Sequence, residues 1–291
     1  MRAPTLAVRL YGQAANQMFQ FAFGRAITPA ELPVLLDVSR SNPALLYEWL
    51  QPGATRRLSM TESVRLRRAP LPALKSKQQN FLDSRKSPRL RRILDRRVRT
   101  EVDWRLVELD LRNAEPPILV QGHFQNEAYF WDRRDEVVEA LAPVGQAAIE
   151  ALRTFQTRCQ APAVCVQIRA GADYTRLGWT LDIAWYRTAA ERMVDTLGAC
   201  AFLVTSDDAS VAEQFAPSIR DLGPSEVLPP LSNYDTLRAL SLCDHHIISA
   251  STYGWWAAWL ADYSADFDPD HHVLHPDPWV QTGAQVPSSR W

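Results

Sequence analysis

The sequence predicts an α/β protein that carries a doubly wound parallel sheet in its second half. Short apolar runs of strand length alternate there with stretches of helical length, joined by short connections. In such a sheet the ligand sits beyond the carboxyl ends of the strands. The length of 291 residues leaves room for a second compact domain ahead of it.

The first half opens on Leu6–Tyr11, where apolar residues alternate with Arg9 as in a strand. Beyond the loop Gly12–Ala15, Met18, Phe19, Ala22, Phe23 and Ala26 recur at helical spacing, and Pro29 closes that helix. Val34–Val38 and Ile118–Phe124 read as two further strands, and a helix is expected to begin near Asn126. In the second half Val164–Ile168, Ala201–Thr205, His246–Ser249 and His272–His275 read as strands. Ile183–Leu197, Ser210–Phe215, Tyr234–Cys243 and Trp255–Leu260 read as helices. A domain boundary is expected between Pro143 and Pro162, giving domains 1–150 and 160–291.

Composition narrows the class. Hydrophobic residues make up 46% and charged residues 22%, with a net charge of −1, so the chain as a whole has no polyanion-binding balance and no nucleic-acid partner is expected. No run approaches the roughly 18 apolar residues of a membrane helix, and Met1–Arg9 is too short and interrupted for a signal peptide. Cys159, Cys165, Cys200 and Cys243 are scattered without a C-x-x-C pair. Reduced thiols in a cytoplasmic protein are the expectation.

One segment departs from this balance. Residues 56–99 hold 15 Lys or Arg against Glu62, Asp83 and Asp95, about +12, which leaves about −13 for the rest. Leu90, Ile93, Leu94 and Val98 give part of it a helical stripe. A solvated basic insertion, spanning 53–115, is the plainer reading. A surface for an anionic acceptor, for peripheral contact with lipid headgroups or for nucleic acid is the sharper one.

The chemistry concentrates in three loops of the second half. Gln167-Ile168-Arg169-Ala170-Gly171-Ala172-Asp173-Tyr174 places a guanidinium directly after an apolar strand, among small residues. The planar fork of arginine suits phosphate. Ser249-Ala250-Ser251-Thr252-Tyr253-Gly254 precedes an apolar helix, so it caps that helix and offers backbone N–H groups to an anion. Ser206-Asp207-Asp208 offers carboxylates at a strand end, suited to ribose or guanine, to a metal ion or to a helix cap. Trp255, Trp256 and Trp259 read as core, with one ring touching a sugar face as the alternative. His271, His272 and His275, flanked by Asp268 and Asp270, look like a metal cluster, but a terminal strand accounts for them better.

Read together, these blocks resemble glycosyltransferase family 11, the α-1,2-fucosyltransferase family. Asn16-Gln17-Met18-Phe19-Gln20-Phe21-Ala22-Phe23-Gly24-Arg25-Ala26 resembles its N-Q-M-F-Q-Y-A-F-G-R-A stretch. Val120-Gln121-Gly122-His123-Phe124-Gln125 with Tyr129-Phe130 is similar to its Q-G-Y-F-Q…Y-F segment. The Arg169 loop falls where the family carries H-x-R-R-G-D-Y, Ser206–Asp208 resembles F-S-D-D, and Ser251–Leu260 resembles S-S-F-S-W-W-G-A-W-L. His275-Pro276 with Trp279 is similar to its terminal P-x-x-W. Departures fall at Gln167 for the family's His, Ala170 for its second arginine, Ala172 as an extra residue, and Gln13 and Ala15 for two glycines.

The resemblance implies a GT-B-type fold, two Rossmann-like domains facing a crevice, with the first on the acceptor side and the second binding the donor. It implies inverting transfer of fucose from GDP-β-L-fucose to an acceptor hydroxyl, α-1,2 on a galactose-type glycan, without metal or other cofactor. By the same resemblance Arg169 binds the donor diphosphate, Ser251, Thr252 and Tyr253 hold the phosphates, and Asp207 or Asp208 contacts the nucleoside. Asn16 lies near the transferred sugar, and Glu127 and His123 fall on the acceptor side. Asp173 and Glu127 are the candidate general bases. A transferase for another nucleotide sugar or a non-glycan acceptor, and a non-catalytic anionic-ligand binding protein, are the alternatives.

Overall fold

The structure, a computed structural model, describes residues 6–38, 44–59, 62, 98–100, 118–267, 269–277, 279 and 291. The chain divides into two units, Met1–Ala142 and Pro143–Trp291.

Among the described residues the first unit carries five parallel strands: β1 (Leu6–Arg9), β2 (Val34–Asp37), β3 (Thr55–Arg57), β4 (Val98–Thr100) and β5 (Ile118–Gln121), in the order β3-β2-β1-β5-β4. Helix α1 (Ala14–Ile27) buries Met18, Phe19, Phe21, Ala22 and Phe23. Gly24 lets it approach the sheet: a Cβ there would lie 2.6 Å from Val34 and 2.9 Å from Val8. The helix ends before Pro29, with Thr28 extended at ψ 137° as a residue preceding proline prefers. Arg25 then closes the helix end by donating to the carbonyls of Thr28 at 2.8 Å, of Leu32 at 2.9 Å and of Pro29. Arg9 staples three strands, with Nε 2.8 Å from Asp37 of β2 and Nη1 3.1 Å from Gln121 of β5.

Some expectations shift here. The strand expected over 118–124 stops at Gln121, and Phe124 then takes φ 51°, a left-handed turn that ends pairing. The helix expected near Asn126 is a 3₁₀ turn, Glu127–Tyr129, because the Asn126 side chain accepts from Ala128 N and caps a single turn. Short helices α2 (Ala44–Tyr47) and α3 (Arg134–Glu139) complete the described part. Both ends of the basic insertion expected over 53–115 contain sheet strands, β3 and β4. Most of the basic stretch 56–99 lies outside the described residues.

The second unit carries β6 (Ala163–Ile168), β7 (Ala201–Ser206), β8 (Ser225–Val227), β9 (His245–Ile248) and β10 (Val273–Leu274), all parallel, in the order β10-β9-β6-β7-β8. Its helices are α4 (Gln146–Cys159), α5 (Ala172–Leu177), α6 (Ile183–Leu197), α7 (Ala209–Ser218), α8 (Asn233–Leu240) and α9 (Thr252–Ser264). Val164, Val166 and Ile168 enter one core cluster with Tyr186, Ala190 and Met193 of α6 and Phe215 of α7. The stretch 143–162 expected to hold the boundary is mostly α4, whose Ala148, Leu152 and Phe155 are buried. The strand order reverses at β6, between β7 and β9. Pairing of Ile168 with Ser206 and of Gln167 with Ile248 brings the loops after β6, β7 and β9 out on one edge. The four cysteines are free thiols, three of them buried. Among the described residues no helix is long and apolar enough to cross a membrane.

Candidate functional site

Arg169 leaves β6 at the switch point and is fixed through both its backbone and its side chain. Its N–H donates to Ser249 Oγ at 2.8 Å. That buried hydroxyl donates to the Gln167 carbonyl at 2.9 Å and lies 2.7 Å from the Tyr186 hydroxyl. Ser249 therefore has one donated and two accepted bonds, which saturates a hydroxyl. Burial pushes the Tyr186 phenol up to about 12, against the lowering effect of its Ser249 contact, so it stays a hydrogen-bond donor at neutral pH.

Two carboxylates receive the guanidinium. Nη1 lies 2.7 Å from Asp207 Oδ2 and Nη2 2.7 Å from Asp173 Oδ2. The guanidinium also sits 4.6 Å from the Tyr174 ring centre, a cation–π distance. Asp207 does a second job: its two oxygens accept from the N–H groups of Ala170 at 2.8 Å and Gly171 at 3.0 Å. The loop closes so tightly that a Cβ at Gly171 would lie 2.2 Å from Asp207. A side chain there would push the Asp207 carboxylate off the loop.

Ser251 caps α9, its side chain accepting from Tyr253 N at 3.3 Å. The start of a helix of this length is the positive end of its dipole, which favours an anion. The Tyr253 hydroxyl donates to the Asn233 carbonyl at 2.6 Å, anchoring α9 to α8, and Tyr174 donates to the Ala250 carbonyl at 3.0 Å. Asp208 caps α7 by accepting from Ser210 N. Thus Arg169, Asp173, Asp207 and the Ser251–Tyr253 turn share one edge, while the Asp208 carboxylate is engaged at the start of α7.

The departures have local reasons. Gln167 is buried, and a Cβ on Gly254 would lie 2.7 Å from its Oε1, so Gln167 packs beneath the first turn of α9. Ala170 packs against the core cluster beneath the loop. Ala172 starts α5.

In the first unit, Gly12 turns the chain after β1 at φ 79°, and Gln17 and Gln20 hold the backbone of Gly12 and Tyr11. Asn16 Oδ1 accepts from Gln125 Nε2 at 2.8 Å, which ties the first turn of α1 to the loop after β5. His123 sets its ring edge-on to Tyr11, and burial pushes its imidazole down to about 3, so it is neutral. Glu127 is buried at the start of the 3₁₀ turn.

Trp255, Trp256 and Trp259 are each fully buried, so none of the three rings offers a face to a sugar; that alternative is corrected to core packing. His271 bridges His246 at 3.0 Å and Asp262 at 3.2 Å, and His245 stacks on His272. Among the described residues no group of His, Cys, Asp or Glu is arranged to hold a metal ion.

Sequence reading missed Ser249 and Tyr186 as the support of Arg169. Ser249→Ala should take the hydroxyl away from the Arg169 N–H and from Tyr186, while the Gln167 carbonyl keeps the Ser249 N–H at 3.1 Å, and lower unfolding free energy by about 1–3 kcal/mol, and Tyr186→Phe by about 1 kcal/mol. Urea unfolding is the measurement, and an unchanged midpoint for Ser249→Ala contradicts the hub.

Comparison with known proteins follows the same lines. A model of glycosyl transferase family 11 matches residues 108–265, more than half of the chain. An Escherichia coli protein, alpha-1,2-colitosyltransferase, is 24% identical over 167 residues, 55% of each chain. The matched region thus spans about half the length of that relative. POFUT1 in complex with GDP-fucose superposes with a TM-score of 0.52 at 15% identity, covering 94% of this chain and 98% of that one. A mutant of FUT1 from Arabidopsis thaliana in complex with GDP gives 0.52 at 12% identity, covering 88% and 68%. At these identities the likeness shows the fold, the α/β GT-B type expected from the sequence.

Proposed function

The chain belongs to glycosyl transferase family 11, and from that premise we propose that it is an inverting, metal-independent fucosyltransferase using GDP-β-L-fucose. The observation that carries the reading is the edge where Arg169 and the first turn of α9 leave neighbouring strands of one parallel sheet. Transfer develops positive charge on the sugar and negative charge on the departing diphosphate. Donors fixed in advance toward that negative charge are usually the largest catalytic contribution. Arg169 supplies a guanidinium already oriented by Asp207, and Ser251, Thr252 and Tyr253 supply the helix start. In this reading the second unit holds the donor and the first the acceptor, with Asn16 near the transferred sugar and His123 and Glu127 toward the acceptor. Asp207 serves the Arg169 loop, and the nucleoside is met by groups around Asp208. The acceptor is a galactose-type glycan joined α-1,2, and an anionic acceptor or lipid surface would meet the basic stretch 56–99.

The named activity of the Escherichia coli relative makes colitose the second candidate sugar. The test is transfer from GDP-fucose to galactose-terminated oligosaccharides with EDTA present, read by mass spectrometry and linkage analysis. One added deoxyhexose in α-1,2 linkage is expected. Activity abolished by EDTA and restored by manganese would contradict metal independence.

A further inference from the structure

The two carboxylates on Arg169 are not held alike. Asp207 is fastened at three points: the guanidinium and the N–H groups of Ala170 and Gly171. Its side chain is 24% exposed. Asp173 is held by Arg169 Nη2, and its side chain is 47% exposed, on the first turn of α5. An incoming anion that claims the guanidinium fork competes with both, and the exposed partner with the single anchor yields first. An exposed ion pair of this kind contributes little to stability, so its exchange costs little. Once released, Asp173 remains four residues from Arg169 and so stays beside the anion that displaced it.

We propose that the donor diphosphate displaces Asp173 from Arg169, and that the freed Asp173 carboxylate is the base that deprotonates the acceptor hydroxyl. This deepens the transferase reading and rests on it. Before the donor binds, the carboxylate is held on Arg169 Nη2 and turned away from an acceptor. After it binds, Arg169 Nη2 turns to a phosphate oxygen. The acceptor O–H proton then passes to Asp173, the acceptor oxygen bonds to the anomeric carbon, and the bond from that carbon to the phosphate oxygen breaks. Its electron pair leaves with GDP, against Arg169 and the start of α9. The base becomes available only in the donor complex, so donor binding precedes productive acceptor binding, and Asp207 keeps Arg169 in register throughout.

The exchange gives Asp173 two effects of opposite sign, which a merely structural role would not produce. In Asp173→Asn, nearly the same size and on an exposed turn, the competing carboxylate is gone. GDP should bind about two- to fivefold tighter, the span of an exposed ion pair. Turnover of GDP-fucose should fall about 10²-fold or more, as for the loss of a general base. Asp207→Asn, which loosens the loop, should instead weaken GDP binding. Calorimetric titration of GDP and initial rates on the full chain read both quantities. Weaker GDP binding in Asp173→Asn, or unchanged turnover, overturns this inference while wild-type GDP binding leaves the transferase reading standing. A wild-type chain that binds neither GDP nor GDP-fucose overturns both.

Discussion

Arg169→Ala should lose transfer by about 10²–10³-fold, equivalent to about 2.7–4 kcal/mol of transition-state stabilisation, while keeping its fold. The size follows from the loop around it. Ala170 stands where a second guanidinium would stand in the family pattern, so in the proposed reaction a single fork would meet the leaving diphosphate. The fold survives because the Arg169 side chain lies on the sheet edge, and the loop keeps the bonds from Ala170 and Gly171 to Asp207 without it. Arg169→Lys should restore little, since an ammonium cannot replace a planar fork that spans two acceptors. Turnover of GDP-fucose beside the urea midpoint of each variant is the measurement. A folded Arg169→Ala protein with near-normal turnover refutes the assignment.

The largest effect on stability is expected from Trp256→Ala. The ring is fully buried, edge-on to Trp255 at 5.0 Å and to Trp259 at 5.4 Å. Truncating a buried tryptophan leaves a cavity that neighbours fill only in part, at about 3–5 kcal/mol. Against a typical total of about 5–15 kcal/mol, that is a large share of the stability. Urea unfolding followed by tryptophan fluorescence should show the midpoint move sharply down. A stable Trp256→Ala protein that has lost only sugar transfer would instead revive contact between this ring and substrate.

Much of this architecture can be read from the chain because burial leaves a periodic mark. Helix α6 is found at its predicted limits, Ile183–Leu197, since Asp182 caps it and a Gly198 turn ends it. Strands β6 and β7 are largely apolar runs buried on both faces over most of their length, as strands covered by helices must be, and β9 is buried throughout although it opens on His245 and His246. Two of the elements that were missed leave no such mark. Helix α5 buries none of its residues and so has no stripe. Strand β8 is three residues at a sheet edge. Helix α4 carries a buried stripe of Ala148, Leu152 and Phe155, yet it stands between Pro143 and Pro162, the punctuation of a linker.

The site divides in the same way. Arg169 and the Ser251 cap stand at element ends that the pattern locates. The groups that orient Arg169 come from 80 residues away at Ser249, and Asp207 reaches Ala170 across 37. Only the parallel register of β6 with β7 and β9 brings them together. No local pattern in the sequence encodes contacts of that separation.

Binding of the nucleotide is the most direct test. GDP-fucose and UDP-glucose are titrated separately into the full chain with EDTA present, and the heat of each is followed to saturation. The predicted result is one saturable site for GDP-fucose, lost in Arg169→Ala, and no saturable binding of UDP-glucose. No heat with GDP-fucose, or equal binding of the two sugars, would contradict it.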